Sequence, residues 1–490
     1  DCLIEAPMTD QNIILITFAA YLLLLFTIAW FSLRRTHNQS DYILGGRKLG
    51  SWTTAISAGA SDMSGWLLLG LPGYAFFAGF EAIWIAVGLY IGTCVNWYFV
   101  APRLRVQTQS LNNALTIPEY FEYRFNDSSH LLRLISAAFI LIFYLFYTSS
   151  GLVAGGKLFE SVFGLSYQWA VIIGALTILS YTCLGGFLAV SWTDLMQGLL
   201  MALALSYVAI VSVYSIHGFE AMYNWMNIIN SELLNPYTSA ANGPLGFIGI
   251  VSLLAWGLGY FGQPHILVRF MAIKSEKMIP KARTIAIYWT AIGLFSALLI
   301  GFSGIALLGN ELQASDSEKV FIELLRLLLH PIPAGICLAA ILAAIMSTAD
   351  SQLLVASSAI TEDIYKIINI KATDKQLMLL GRVAVILLTL LATVLALQAD
   401  NNVLDMVAYA WAGFGATFGP VILLSLYWKE MTRHSALVGM LTGGITVIVW
   451  KNIESSYRIF ELYELVPGFI LALVCIVLNQ TLQQAKLQRQ

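Results

Sequence analysis

Apolar runs of membrane length alternate with short polar segments from one end of the chain to the other. At about 20 residues per crossing, the pattern predicts about thirteen spans: 12–33, 50–79, 82–101, 133–155, 167–187, 192–216, 245–269, 284–309, 333–365, 378–398, 403–427, 435–452 and 464–482. The run at 333–365 is too long for one straight crossing. Its end, Thr361-Glu362-Asp363, reads as a cytoplasmic extension. The loops are short except near 103–132, 217–244 and 310–332, and none of these has the length or apolar content of a separate domain.

The second run holds the feature around which the rest is organised. It reads Ser57-Ala-Gly-Ala-Ser-Asp-Met-Ser-Gly-Trp-Leu-Leu-Leu-Gly-Leu-Pro-Gly73, and Asp62 is the only charge between Lys48 and Glu81. An ionised Asp near mid-membrane costs roughly 2.5–3.5 kcal/mol on insertion scales, so it is rarely left without a partner or a task. Ser57, Gly59, Ser61, Ser64 and Gly65 weaken the helix around it, and Pro72 loosens the segment downstream. A helix that unwinds beside a lone carboxylate bares backbone carbonyls, and these suit a cation. The competing reading is a kinked helix whose Asp62 is satisfied by a neighbouring helix.

Composition agrees with the pattern. The chain is 58% hydrophobic and 11% charged, with a mean hydropathy of +0.76, against about 25% charged residues in a soluble domain. The fold class is an all-α integral membrane protein. The net charge of −2 and the absence of a basic stripe give no reason to expect a nucleic-acid partner, and nothing points to an obligatory protein partner. Four of the five cysteines lie in apolar runs without metal-type spacing and read as small core residues.

Charge orients the spans. The first run has no basic residue before it and Arg34 and Arg35 just after it, the reverse of a cleavable signal. It reads as a retained helix with its N-terminus outside and the C-terminus of the chain in the cytoplasm. We read Met8 as the native first residue, preceded by seven added ones. With this orientation 21 of the 26 Lys and Arg residues fall on the inner side, Arg269 among them. Only Lys157, Lys319, Arg326, Lys451 and Arg458 fall outside, as the positive-inside rule requires.

An internal symmetry is visible. Five spans after the broken second run, the seventh reads Leu253-Leu-Ala-Trp-Gly-Leu-Gly-Tyr-Phe-Gly-Gln-Pro-His265. Interrupted helices at corresponding positions of two five-helix halves point to an inverted-repeat transporter with its site at the breaks. The alternative is two unrelated kinked helices. Residues 1–49 are then an external segment, a leading helix and a first cytoplasmic loop. Residues 50–216 are the first repeat, 245–427 the second, and 428–490 two trailing helices with a cytoplasmic end.

In the ninth span Ala344, Ser347 and Thr348 share one helix face at i, i+3 and i+4, and Ser351 continues the stripe. Hydroxyls in membrane helices often bond back to the i−4 carbonyl or join helices. An adjacent pair of hydroxyls with a free carbonyl is also what a small hard cation prefers. Asp350 lies roughly 200° around the helix from Thr348, so it faces elsewhere, toward the inner vestibule. Asp194 opens the sixth span, where a first-turn carboxylate complements the helix dipole or serves the ion. Trp66, Tyr147, Trp256 and Tyr260 lie within spans rather than in the interfacial belt. They serve as core packing or line a pocket for a small apolar ring.

Other motifs drop out. Gly257-Leu-Gly-Tyr-Phe-Gly262 spells a dinucleotide fingerprint but lies in a membrane span, with Arg269 and Lys274 after it, rather than between a strand and a helix. There is no His-Glu-x-x-His and no Gly-x-Ser-x-Gly, and the histidines are isolated, with only His265 at a break. Nothing supports an enzyme.

Several linked motifs together are similar to the sodium:solute symporter family. They are Asp41-Tyr-Ile-Leu-Gly-Gly-Arg47, Ser57 to Trp66, Gly257 to His265, Ser347-Thr348 and Tyr409-Ala-Trp-Ala-Gly-Phe-Gly415. The resemblance runs from about Met8 to the end. It implies the LeuT-type fold, with a leading helix, a five-plus-five inverted repeat and two trailing helices. It also implies Na⁺-coupled import of L-proline by alternating access across a bacterial inner membrane; another small solute, such as pantothenate or another monocarboxylate, is the alternative. By the same resemblance Na⁺ is held by the carbonyls of Ala60, Met63 and Ala344 and the hydroxyls of Ser347 and Thr348. Asp62 stands close by, and Asp194 is linked to sodium handling. Ser64, Gly65, Trp66, Tyr147, Trp256, Tyr260 and Pro264 surround the proline, and Arg47 serves the inner gate.

Overall fold

A computed structural model describes residues 6–33, 38–239, 243–309, 312–398, 402–453 and 457–487. Arg34, Arg35, Arg489 and the first five residues lie outside them. The described chain is nearly all helix. It opens with α1 (Ala6–Leu33), α2 (Gln39–Leu44), α3 (Ser51–Asp62), α4 (Leu71–Ala78), α5 (Ile83–Val95), α6 (Ala101–Ser110) and α7 (Ile117–Arg124). Then come α8 (Leu131–Phe163), α9 (Tyr167–Ser215), α10 (Phe219–Ile229), α11 (Gly246–Leu254), α12 (Pro264–Ala272) and α13 (Ile279–Leu308). The rest is α14 (Val320–Leu328), α15 (Pro331–Ser358), α16 (Lys366–Ile368), α17 (Asp374–Leu397), α18 (Val403–Tyr427), α19 (Arg433–Lys451) and α20 (Leu465–Leu487). A two-residue hairpin, Thr238–Ser239 with Gly243–Pro244, lies in the segment between α10 and α11.

Nine helices among the described residues have the length and apolar composition to cross a membrane, or ten if the bent pair Gly246–Gly262 and Pro264–Ala272 is one span. The core is built around α15, which is buried along most of its length and packs on α1, α8 and α9. Large apolar side chains such as Leu203, Ile210, Leu390 and Leu391 face outward, as they do on a surface solvated by lipid rather than water.

Both expected breaks are present. α3 ends at Asp62, Met63 leaves the helical region (φ −81°, ψ 81°), and a π-helical turn, Trp66–Gly70, leads into α4. Pro72 follows this π turn directly within one continuous helical run, Gly70 keeping helical angles (φ −64°, ψ −54°), and a proline there removes an interior helix hydrogen bond. In the seventh span the chain leaves α11 as a 3₁₀ stretch, Ala255–Gly262, passes through extended Gln263 and restarts at Pro264 with a 45° bend. Glycine is required at Gly259, where a Cβ would stand 1.9 Å from the Trp411 indole nitrogen, and at Gly262, 2.2 Å from the Phe414 carbonyl. Without side chains there, α18 packs directly on the break.

Two expectations need correction. The fifth and sixth spans are not separated by a loop before Asp194. Within α9 two helices meet directly at Gly186, whose backbone leaves the helical region (φ 67°, ψ −179°). Asp194 therefore lies about two turns beyond the kink and is not in a first turn. Arg269, counted as an inner-surface charge, is fully buried in α12. Each correction explains the other, since the two side chains form an ion pair of 3.0 Å with no solvent exposure on either. Asp350 faces away from the hydroxyl stripe as expected. It is not open to a vestibule, because it is fully buried and accepts the Thr182 hydroxyl of α9. Of the cysteines whose packing is described, Cys337 is buried while Cys94 and Cys475 are half-buried.

Candidate functional site

The ninth-span stripe meets the first break. The Ser347 hydroxyl donates to the Ala60 carbonyl at 2.7 Å and lies 3.1 Å from the Ala344 carbonyl. The Thr348 hydroxyl reaches the same Ala60 oxygen at 3.3 Å. Four of the five oxygens expected for a cation thus converge between α3 and α15, all in buried residues. Met63 is the residue at which α3 ends, and no hydrogen bond ties its carbonyl to the other four. A helix interior would bind its carbonyls internally. The stop at Asp62 leaves the last turn of α3 free to present Ala60 outward.

The carboxylate of Asp62 turns toward the second break. Tyr260 donates its hydroxyl to Asp62 Oδ2 at 2.7 Å, and Oδ1 is buried with no partner. Two further side chains reach the Asp62 carbonyl: the Trp66 indole N–H at 3.0 Å and the Tyr147 hydroxyl at 3.3 Å. One residue therefore gathers the first broken span, α8 and the second broken span. Beside it is a cavity of about 10 Å³, lined in part by Gly59, Asp62, Asn96 and Tyr260, about the room of a single water.

The remaining expected residues divide. Ser64 adjoins the group, its hydroxyl 3.4 Å from the Trp66 backbone N–H. Gly65 packs where a Cβ would stand 2.8 Å from Ala154 on α8. Pro264 starts α12 and faces a different, inner cavity with Val268 and Leu354. Its neighbour His265 donates its backbone N–H to the Tyr144 hydroxyl at 2.9 Å and places its ring 5.9 Å from that of Tyr147. Trp256 stacks on Tyr463 of the segment before α20, with centroids 5.6 Å apart, rather than joining Tyr260.

Asp194 makes no hydrogen bond to the Ala60, Ser347 and Thr348 group and is held elsewhere. Its Oδ2 accepts from Ser57 of α3 at 2.6 Å and from Arg269 of α12. Arg269 also bonds Ser57, Ser351 of α15 and the His265 carbonyl. The lower halves of both broken spans are thus pinned to α9 and α15 through one buried ion pair. Arg47, in the left-handed region at φ 53°, ties the segment before α3 to the ends of α6 and α12. Its guanidinium reaches Asn113 at 2.8 Å, the Ala114 carbonyl at 2.7 Å, Thr108 and the Met271 carbonyl. Burial, then the charge of Arg105, lowers its pKa to about 10, so it stays charged at neutral pH. Leu49 and Ile273 add a backbone bridge between the two inner ends.

Sequence reasoning missed Arg269, Asn96, Trp411 and Tyr463. Asn96, which holds the Tyr260 carbonyl at 3.1 Å, had a usable signal as a lone amide at mid-run. Trp411 donates to the Trp256 carbonyl at 2.7 Å and sets its ring edge-on to Tyr260.

The family model described as the sodium:solute symporter family matches residues 42–443. The chain is 49% identical to sodium/proline symporters of Salmonella typhimurium and Escherichia coli, in each case over 98% of this chain and 95% of the relative. It is 46% identical to one of Staphylococcus aureus, over 94% of this chain and 90% of the relative. Among solved structures, a Na⁺-coupled sialic acid symporter in a substrate-bound outward-open state matches with a TM-score of 0.78 at 19% identity, covering 96% of this chain and 98% of that one. A nucleobase-cation-symport-1 family transporter in a closed conformation matches at 0.53 and 13% identity, over 90% and 95% of the two chains. At such identities the likeness shows the fold alone. With a family match over most of its length and full-length relatives near half identity, the chain belongs to the sodium:solute symporter family.

Proposed function

We propose that the chain is a sodium-coupled secondary symporter that carries L-proline into a bacterial cell by alternating access. The observation that carries the reading is the convergence of the Ser347 and Thr348 hydroxyls on the Ala60 carbonyl, one turn from the Asp62 cluster. The names of the full-length relatives supply the solute.

In this reading Na⁺ takes the place of the hydroxyl hydrogen bonds, with Ala60, Met63, Ala344, Ser347 and Thr348 as its oxygens. Asp62 supplies negative charge nearby without ligating, and Asp194 acts on the ion indirectly, through Arg269 and Ser57. Sodium fixes α3 against α15 and so sets the position of Asp62, Trp66, Tyr147 and Tyr260. The proline ring packs on those aromatics with Ser64 and Gly65 beside it and Trp256 as the outer wall, while Pro264 sets the restart of α12 at the second break. Its carboxylate takes N–H groups at the helix breaks. Loading closes the outer side, and release of Arg47 opens the inner one.

The driving force is sufficient. One charge through 100 mV supplies about 2.3 kcal/mol and a tenfold Na⁺ gradient about 1.4 kcal/mol, supporting roughly 500-fold accumulation for a 1:1 carrier.

We read thirteen crossings in this molecule. α3 with α4, and α11 with α12, each make one broken span. α9 makes two about Gly186, and α19 is a short twelfth. The leading helix is outside the two five-helix repeats (50–216 and 245–427), the N-terminus is outside and the C-terminus is in the cytoplasm. Its partners in this reading are L-proline and membrane lipid, and it moves the solute without chemical change.

The test is a binding titration of purified protein with a panel of amino acids and small monocarboxylates, with and without Na⁺. Proline binding strengthened by Na⁺ supports the reading. Na⁺-dependent binding of pantothenate or another monocarboxylate, without proline, replaces the solute. Binding indifferent to Na⁺ removes the coupling.

A further inference from the structure

We propose that a basic cleft between α6, α7 and the end of α18 binds the headgroup of an anionic phospholipid of the inner leaflet. The proposal rests on the proposed membrane orientation, which puts this end of the molecule at the cytoplasmic surface.

The cleft has a volume of about 420 Å³, and Arg103, Arg124 and Lys429 line it with no carboxylate on its wall. Gln107 and Ser110 add neutral polar groups. Among the described residues none of the three cations forms an ion pair. Their neighbours do: Arg133 meets Glu119, Glu122 and Asp363, and Arg433 meets Asp127. An adjacent cleft beside Arg105 and Lys274 differs on this point, since Glu276 lines it. Three cations without a carboxylate in one concavity favour an anion from outside the chain.

The geometry of the two arginines is fixed beforehand. Arg124 is held by the carbonyls of Ser425, Trp428 and Lys429 at the end of α18. Arg103 lies over the Tyr427 ring, 3.9 Å from its centroid, and donates to the Tyr427 hydroxyl at 2.7 Å. That hydroxyl donates in turn to the Phe99 carbonyl. Guanidinium groups ordered in this way lose little freedom on meeting a phosphate.

The surroundings select a lipid over a soluble anion. Tyr427 lines the cleft and Phe99, whose carbonyl Tyr427 holds, adjoins it; each is about half exposed. Aromatic rings at this level mark the headgroup boundary, where an acyl chain can lie along Phe99 while the phosphate enters the cleft. Basic pockets between membrane helices on the cytoplasmic side are built to hold such headgroups.

The test is native mass spectrometry of the intact protein released from nanodiscs of phosphatidylglycerol and phosphatidylcholine, with thermal unfolding in detergent as a second readout. Wild type should retain phosphatidylglycerol selectively. R103Q/K429Q, which leaves the structural Arg124 in place, should lower that retention roughly thirtyfold, two lost surface cations' worth. K277Q/K281Q, on another inner loop, should retain the lipid. The unfolding temperature should rise with added short-chain phosphatidylglycerol for wild type and not for R103Q/K429Q. Equal retention by R103Q/K429Q and wild type overturns the proposal. Stabilisation by inorganic phosphate equal to that by phosphatidylglycerol also overturns it and makes this a soluble-anion site.

Discussion

The Tyr260 hydroxyl donates to Asp62 Oδ2 at 2.7 Å and leaves Oδ1 of the same buried carboxylate without a partner. The two residues come from the two broken spans, 198 positions apart. The contact therefore ties the two broken spans together, and in the proposed reading it is where ion and solute affect one another. A buried carboxylate with one satisfied oxygen keeps an electrostatic preference for a nearby cation. Asp62→Asn should insert and unfold normally but lose Na⁺-driven uptake. Normal Na⁺ dependence in that variant would make Asp62 a structural residue.

The pocket aromatics should not be equivalent. Tyr260→Ala removes both a ring and the bond to Asp62, and should raise the proline dissociation constant about tenfold, a loss of roughly 1.4 kcal/mol. Trp256→Ala disturbs a stack on Tyr463 instead and should cost less. Calorimetric titration of both variants at saturating Na⁺ decides. A larger loss at Trp256 would put the solute on the other side of the 3₁₀ stretch.

This difference shows what the sequence could reveal. Trp256 and Tyr260 are four apart, which on an α-helix places both rings on one face. The segment is 3₁₀ instead, and at three residues per turn they diverge by about 120°. The breaks were legible because glycine, serine and proline act locally, and the Ala344, Ser347, Thr348 stripe because α15 is regular there. The Asp194–Arg269 pair was not legible. Hydropathy alone turns a charge inside a run into a boundary, and the partner that permits its burial lies 75 residues away.

Hydroxyl removal should act on the ion first. Ser347→Ala and Thr348→Ala should each weaken Na⁺ activation of uptake strongly, while proline affinity recovers at saturating Na⁺. Uptake measured over a Na⁺ series separates the two effects. An unchanged Na⁺ dependence in both variants removes these hydroxyls from the site.

The buried ion pair should behave as a unit. Asp194→Asn or Arg269→Gln alone leaves one charge buried without its partner, a cost of about 3–5 kcal/mol. The double variant should lose less than the two single losses combined, as contacting residues do in a double-mutant cycle. Thermal unfolding in detergent reads all four proteins. Additive losses would show that the 3.0 Å contact carries no coupling.

The decisive measurement is uptake of labelled L-proline into proteoliposomes holding the purified protein, under an imposed inward Na⁺ gradient. Sodium-coupled symport predicts transient accumulation above the external concentration, abolished when choline replaces Na⁺ and when a sodium ionophore collapses the gradient. Proline methyl ester, which lacks the carboxylate, should not compete. Accumulation that persists without Na⁺, or uptake that only equilibrates proline whatever the gradient, would contradict it.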